Sequence, residues 1–133
     1  MTQVNETFDL MNHLNEDANN LTRGGNYKLA IEKYKQALKT ANAELFADQP
    51  DLRAKYRDLR IRIISNVALC CIKLEDYPTA KSACELGLKS EPGHSKMRFR
   101  LAVALYHLQD YEESLTQINL ALQQEPNNMN IRS

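Results

Sequence analysis

Three stretches of this chain set polar side chains of related chemistry at the spacing of one helix face. Residues at i, i+3, i+4, i+7 and i+11 share a face of an α-helix. One such stripe is Asn12, Asn15, Glu16, Asn19 and Arg23; a second is Arg62, Ser65, Asn66, Leu69 and Lys73; a third is Lys96, Phe99, Arg100, Val103 and His107. The stripes hold five Lys/Arg side chains against one acid, although the whole chain carries 17 basic and 17 acidic residues. Charge is therefore segregated onto these faces, while net charge points to neither nucleic acid nor membrane. Four asparagines share the stripes, and Asn is a poor helix former that needs another reason to be there. Amides and cationic heads together donate the hydrogen bonds that carboxylates and peptide backbone accept. Between them, Leu69, Phe99 and Val103 can hold an apolar side chain.

The elements that must carry these stripes are legible as a repeat. Leu74, Tyr77 and Pro92 recur as Leu108, Tyr111 and Pro126, each 34 residues later, and Ala68 and Leu88 recur as Ala102 and Leu122. Within a copy the apolar residues keep helical spacing: Ile64, Val67, Ala68 and Cys71, then Ala80, Ala83, Cys84 and Gly87. Each copy reads as two antiparallel helices with turns at Glu75-Asp76 and Gln109-Asp110. A third copy lies upstream, where Gly24-Gly25-Asn26 makes the turn and Tyr27, Ala30, Tyr34 and Ala37 form the second helix. A helix–turn–helix unit of this period resembles the tetratricopeptide repeat. The resemblance implies an all-α fold of three such repeats in a right-handed superhelix, with the first helix of each pair lining the concave groove. It places one domain over residues 1–133, with repeats over about 11–44, 61–94 and 95–128.

From Tyr27 to Tyr77 the interval is 50 residues, 16 more than the period, so an insertion falls over about 45–60. Pro50 and Asp51 suit a helix start. The reading extends the second helix to about Ala47 and starts the third near Asp51, giving long helices at the junction of repeats one and two. Residues 1–8 are polar and are expected to be frayed or loosely helical. Beyond Pro126, Asn127-Asn128 is placed to cap a further helix that Met129–Ser133 barely begins.

Composition limits the alternatives. Cys70, Cys71 and Cys84 have no metal-ligand spacing to His13, His94 or His107, and as adjacent helical residues Cys70 and Cys71 diverge too far for an easy disulfide. Buried small apolar residues are the simpler assignment. No metal or other cofactor is expected. There is no signal-like start and no run of 18 apolar residues, which predicts a cytoplasmic protein. No Gly-rich phosphate loop, nucleophile elbow or His-x-x-x-His is present, so the chain reads as non-catalytic.

The stripes resemble a narrower family, the tetratricopeptide domains of large immunophilins and related heat-shock co-chaperones. Its members grip the acidic C-terminal tails of heat-shock chaperones, of the Glu-Glu-Val-Asp type, in a carboxylate clamp. The clamp is a Lys and an Asn four apart, an Asn in the next repeat, and Lys-x-x-x-Arg in the third. Asn19, Asn66 and Lys96-Met-Arg-Phe-Arg100 match four of these positions, and Asn15 stands where the family has its first lysine. An amide can still donate there but brings no charge, so Lys73, Arg23 or Arg62 is left to supply it. The resemblance implies a peptide-binding set of Asn15, Asn19, Asn66, Lys73, Lys96 and Arg100. The alternative is a generic adaptor that binds an internal segment or helix of another partner, as a piece of a multidomain prolyl isomerase whose catalytic domain lies elsewhere.

Overall fold

The computed structural model describes residues 2–124, and all of its regular structure is helical. Six α-helices, α1 (Thr2–Arg23), α2 (Tyr27–Thr40), α3 (Pro50–Lys73), α4 (Tyr77–Ser90), α5 (Ser95–His107) and α6 (Tyr111–Gln124), follow one another with one short 3₁₀ turn, η1 (Ala43–Phe46), between α2 and α3. Each α-helix packs mainly on its neighbours in sequence, and α3 also touches α1 and α5. That is the connectivity of a stack of helix pairs, with the odd-numbered helices adjacent along one side. Among the described residues no helix is long and apolar enough to cross a membrane.

Small residues at the same register let the pairs close. Ala30 and Ala80 are fully buried, and Ser114 takes the equivalent place on α6, donating its hydroxyl to the Ala102 carbonyl at 2.7 Å. Gly87 leaves room for Met97 and Ile64: a Cβ there would lie 2.6 Å from Met97 Cε and 3.3 Å from Ile64 Cγ2. The three inter-helix turns share one geometry. Gly25, Glu75 and Gln109 all take a left-handed φ, at 82°, 61° and 68°. In each, the following N–H reaches back five residues: Asn26 to Leu21, Asp76 to Cys71 and Asp110 to Leu105, at 2.8–2.9 Å. These are Schellman ends, which satisfy the last carbonyls of α1, α3 and α5.

Two sequence expectations are corrected. The second helix stops at Thr40 instead of running to about Ala47, because Ala41 turns extended and the Asn42 side chain accepts from Leu45 N–H to start η1. The turn inserts Phe46 into the core, fully buried, with its ring centroid 5.1 Å from Tyr56 and 6.1 Å from Phe8. Burying that ring is worth about 1.5–3 kcal/mol, more than another turn of exposed helix would contribute. Likewise α1 starts at Thr2, well before the first repeat's expected start near residue 11, because Val4, Phe8 and Met11 form an apolar ridge that packs into the same cluster. The third helix begins at Pro50, one residue before the expected start, with proline in its first turn. The helix expected to begin after Asn127-Asn128 lies outside the described residues.

Candidate functional site

Helices α1, α3 and α5 bring most of the expected polar residues together. Asn66, in the middle of α3, and Lys96 and Arg100, in the first half of α5, line one cavity of about 680 Å³ with Arg62 and Ser65. The loop between α4 and α5 closes its end with Glu91, Gly93 and His94. Asn19 does not line that cavity but is tied to it, since Asn66 Nδ2 donates to Asn19 Oδ1 at 3.3 Å. The same oxygen accepts the Tyr34 hydroxyl at 2.5 Å, and that hydroxyl lies 3.3 Å from Thr22 Oγ1. Both acceptor sites on Asn19 Oδ1 are thus taken, which leaves its NH₂ for another partner.

Arg100 is held as firmly. Its Nη1 donates to the Ser65 carbonyl at 2.7 Å and to Ser65 Oγ at 2.5 Å. Burial, which disfavours the charged form, pulls its pKa below the ordinary arginine value. Lys96 is exposed one turn earlier and has no ion-pair partner among the described residues. Arg62, at the position of α3 equivalent to Lys96, pairs with Asp58 on its own helix, at 3.4 Å and in solvent. Such a pair is worth well under 1 kcal/mol and yields readily to a better anion.

The other two expected residues are placed differently. Asn15 lies on α1 one turn before Asn19, is 6% exposed, and its Oδ1 is buried with no hydrogen-bond partner. Lys73 is exposed in the last turn of α3, about 10 Å along the axis from Asn66, and is not part of the cavity wall.

Sequence reasoning left out three contributors. Ser65 stood on the second stripe, but its role as a double acceptor for Arg100 needs the packing of α5 on α3. Tyr34 reads as one of the regular residues of the second helix, and only its hydroxyl hints at more. His94 caps α5 by accepting from Met97 N–H through Nδ1 at 3.1 Å, a task the usual Ser, Thr, Asp or Asn would have signalled. The buried cysteines, by contrast, are chemically quiet. Burial pushes Cys71 up to about 11 and Cys84 up to about 12, so neither is a thiolate near neutral pH.

Comparison with known proteins agrees with this architecture. A family model described as tetratricopeptide repeat matches residues 72–133. Human sperm-associated antigen 1 is 31% identical over 113 residues, which cover 85% of this chain but only 10% of that protein. Among solved structures, the C-terminal TPR-containing domain of a Plasmodium falciparum protein named as FK506-binding superposes with a TM-score of 0.84 at 28% identity, covering 97% of this chain and 85% of that one. The first TPR of Spaghetti (RPAP3), bound to the HSP90 peptide SRMEEVD, superposes with a TM-score of 0.74 at 22% identity, covering 93% and 86%.

Proposed function

This chain is built as a tetratricopeptide repeat domain, and from that premise we propose that it binds the acidic C-terminal tail of a heat-shock chaperone through a carboxylate clamp. The observation that carries the reading is the convergence of Asn66, Lys96 and Arg100 on one cavity, with Asn19 hydrogen-bonded to Asn66. A terminal carboxylate takes the amides of Asn19 and Asn66, and the neighbouring acidic side chains take Lys96 and Arg100. The RPAP3 domain bound to an HSP90 peptide supports this reading by its shared fold. Arg62, free to leave Asp58, supplies the charge that Asn15 lacks. Lys73 lies outside the cavity and acts at longer range, on the rate of encounter more than on the grip. The domain binds and does not catalyse, and it works in the cytosol.

The resemblance to a domain of an FK506-binding protein favours one further reading, that this is the adaptor end of a larger prolyl isomerase. The clamp is tested by titration calorimetry with a peptide ending Glu-Glu-Val-Asp, as free acid and as C-terminal amide. Binding of the acid at least tenfold tighter than the amide is expected. Equal binding of the two would leave only a generic adaptor for internal segments.

A further inference from the structure

The most specific arrangement behind the groove is the polar contact between α1 and α2. Tyr34 is completely buried, yet its hydroxyl donates at 2.5 Å to Asn19 Oδ1. The two later repeats carry Cys84 and Ile118 at the same register, seven residues after Tyr77 and Tyr111, where Tyr34 follows Tyr27. The core position therefore needs an apolar group of some kind, and only the first repeat brings a hydroxyl to it. Burying a hydroxyl is costly unless it is hydrogen-bonded, so its presence here is matched to Asn19.

Resting on the clamp reading, we propose that Tyr34 is a positioning residue, whose buried hydroxyl locks the Asn19 amide with its oxygen inward and its NH₂ toward a ligand carboxylate. An asparagine amide can turn over at little cost, and the wrong orientation presents an acceptor to an anion. Two donors on one oxygen, Tyr34 from below and Asn66 from α3, remove that freedom. Thr22 Oγ1, 3.3 Å from the Tyr34 oxygen, holds the phenol in turn by donating to it, since the one phenolic proton is spent on Asn19. The chain from Thr22 through Tyr34 and Asn19 to Asn66 thus acts on ligand orientation without touching the ligand, in the manner of outer-shell groups that aim a contacting residue.

The test is Tyr34→Phe, which keeps the ring and the core volume. Its affinity for the free-acid peptide is expected to fall about three- to tenfold, with no change for the amide peptide. A loss of packing alone would lower both equally. Thr22→Val should move the free acid in the same direction by a smaller factor. Tyr34→Phe binding the acid as wild type does, or losing acid and amide alike, overturns the proposal. Failure of the clamp itself shows separately, as wild type that does not distinguish acid from amide. The orientation is then decided by the Asn19 side-chain amide resonances. Distinct, slowly exchanging proton signals in wild type that merge or shift in Tyr34→Phe support the lock, and unchanged signals refute it.

Discussion

Lys96 and Arg100 stand four residues apart on α5, yet they are different instruments. Lys96 is exposed and unpaired, so Lys96→Ala should cost binding and leave stability alone. The loss is about tenfold in affinity, since a charged hydrogen bond partly screened by water is worth roughly 1–2 kcal/mol. Arg100 also joins α5 to both the backbone and hydroxyl of Ser65, so Arg100→Ala should lower affinity and melting temperature together. Calorimetry and thermal melts on the two variants separate these roles, and an Arg100→Ala that melts as wild type would remove Ser65 from the account. A different residue-scale effect belongs to the thiols. Cys71 and Cys84 are raised by burial from 9.0 to about 11 and about 12. Above about pH 9 the unfolded chain releases these protons while the folded chain keeps them. The folded state then binds more protons, and stability falls as pH rises from about 9 toward 11–12, with no such contribution below pH 8. Melts at pH 7.5, 9 and 10.5 should show the decline, and Cys84→Ala should make it shallower.

At the scale of elements, three turns of one geometry join the helices within the three pairs, but only one carries the residue best suited to it. Gly25 takes its left-handed φ without penalty, whereas Glu75 and Gln109 pay about 1 kcal/mol each for the same geometry. Glu75→Gly should therefore stabilise the chain by about 0.5–1 kcal/mol in urea unfolding, and Gly25→Ala should destabilise it by a similar amount. A destabilised Glu75→Gly would mean that Glu75 contributes a contact beyond the turn. Gly87→Leu should cost about 1–3 kcal/mol, because Met97 is fully buried and has little room to yield. These pairs and turns were legible because period, small residues and turn chemistry are all local signals. The end of α2 was not. Ala43-Glu44-Leu45 reads as good helix, and nothing within a helical turn of it reveals the pull of Phe8 and Tyr56 on Phe46. Spacing along α3 and α5 puts Asn66, Lys96 and Arg100 on facing stripes, and in the fold all three line one cavity. Spacing alone does not distinguish the two sides of the first stripe, and Asn15 is buried beside the core positions Met11 and Ala18.

At the scale of the whole molecule, the side chains proposed to hold a ligand are the ones that already fasten the odd-numbered helices to one another. Asn66 reaches Asn19 from α3 to α1, and Arg100 reaches Ser65 from α5 to α3. The site is therefore assembled before any ligand arrives, and little ordering is left to oppose binding. A tail held as proposed would be a brace across all three pairs. In a stack where each pair contacts only its neighbours, end pairs open more readily than the middle one, and a ligand touching α1, α3 and α5 ties those openings together. A free-acid tail at a hundred times its dissociation constant should stabilise the fold by about 2.7 kcal/mol, a rise in melting temperature on the order of ten degrees. The amide peptide at the same concentration should produce much less. Hydrogen exchange locates the effect: protection should rise in α1 and α5, at the two ends of the brace, more than in α3, which is enclosed on both sides already. Added protection confined to α5 would mean that the ligand rests on Lys96 and Arg100 alone and that the first pair takes no part in holding it.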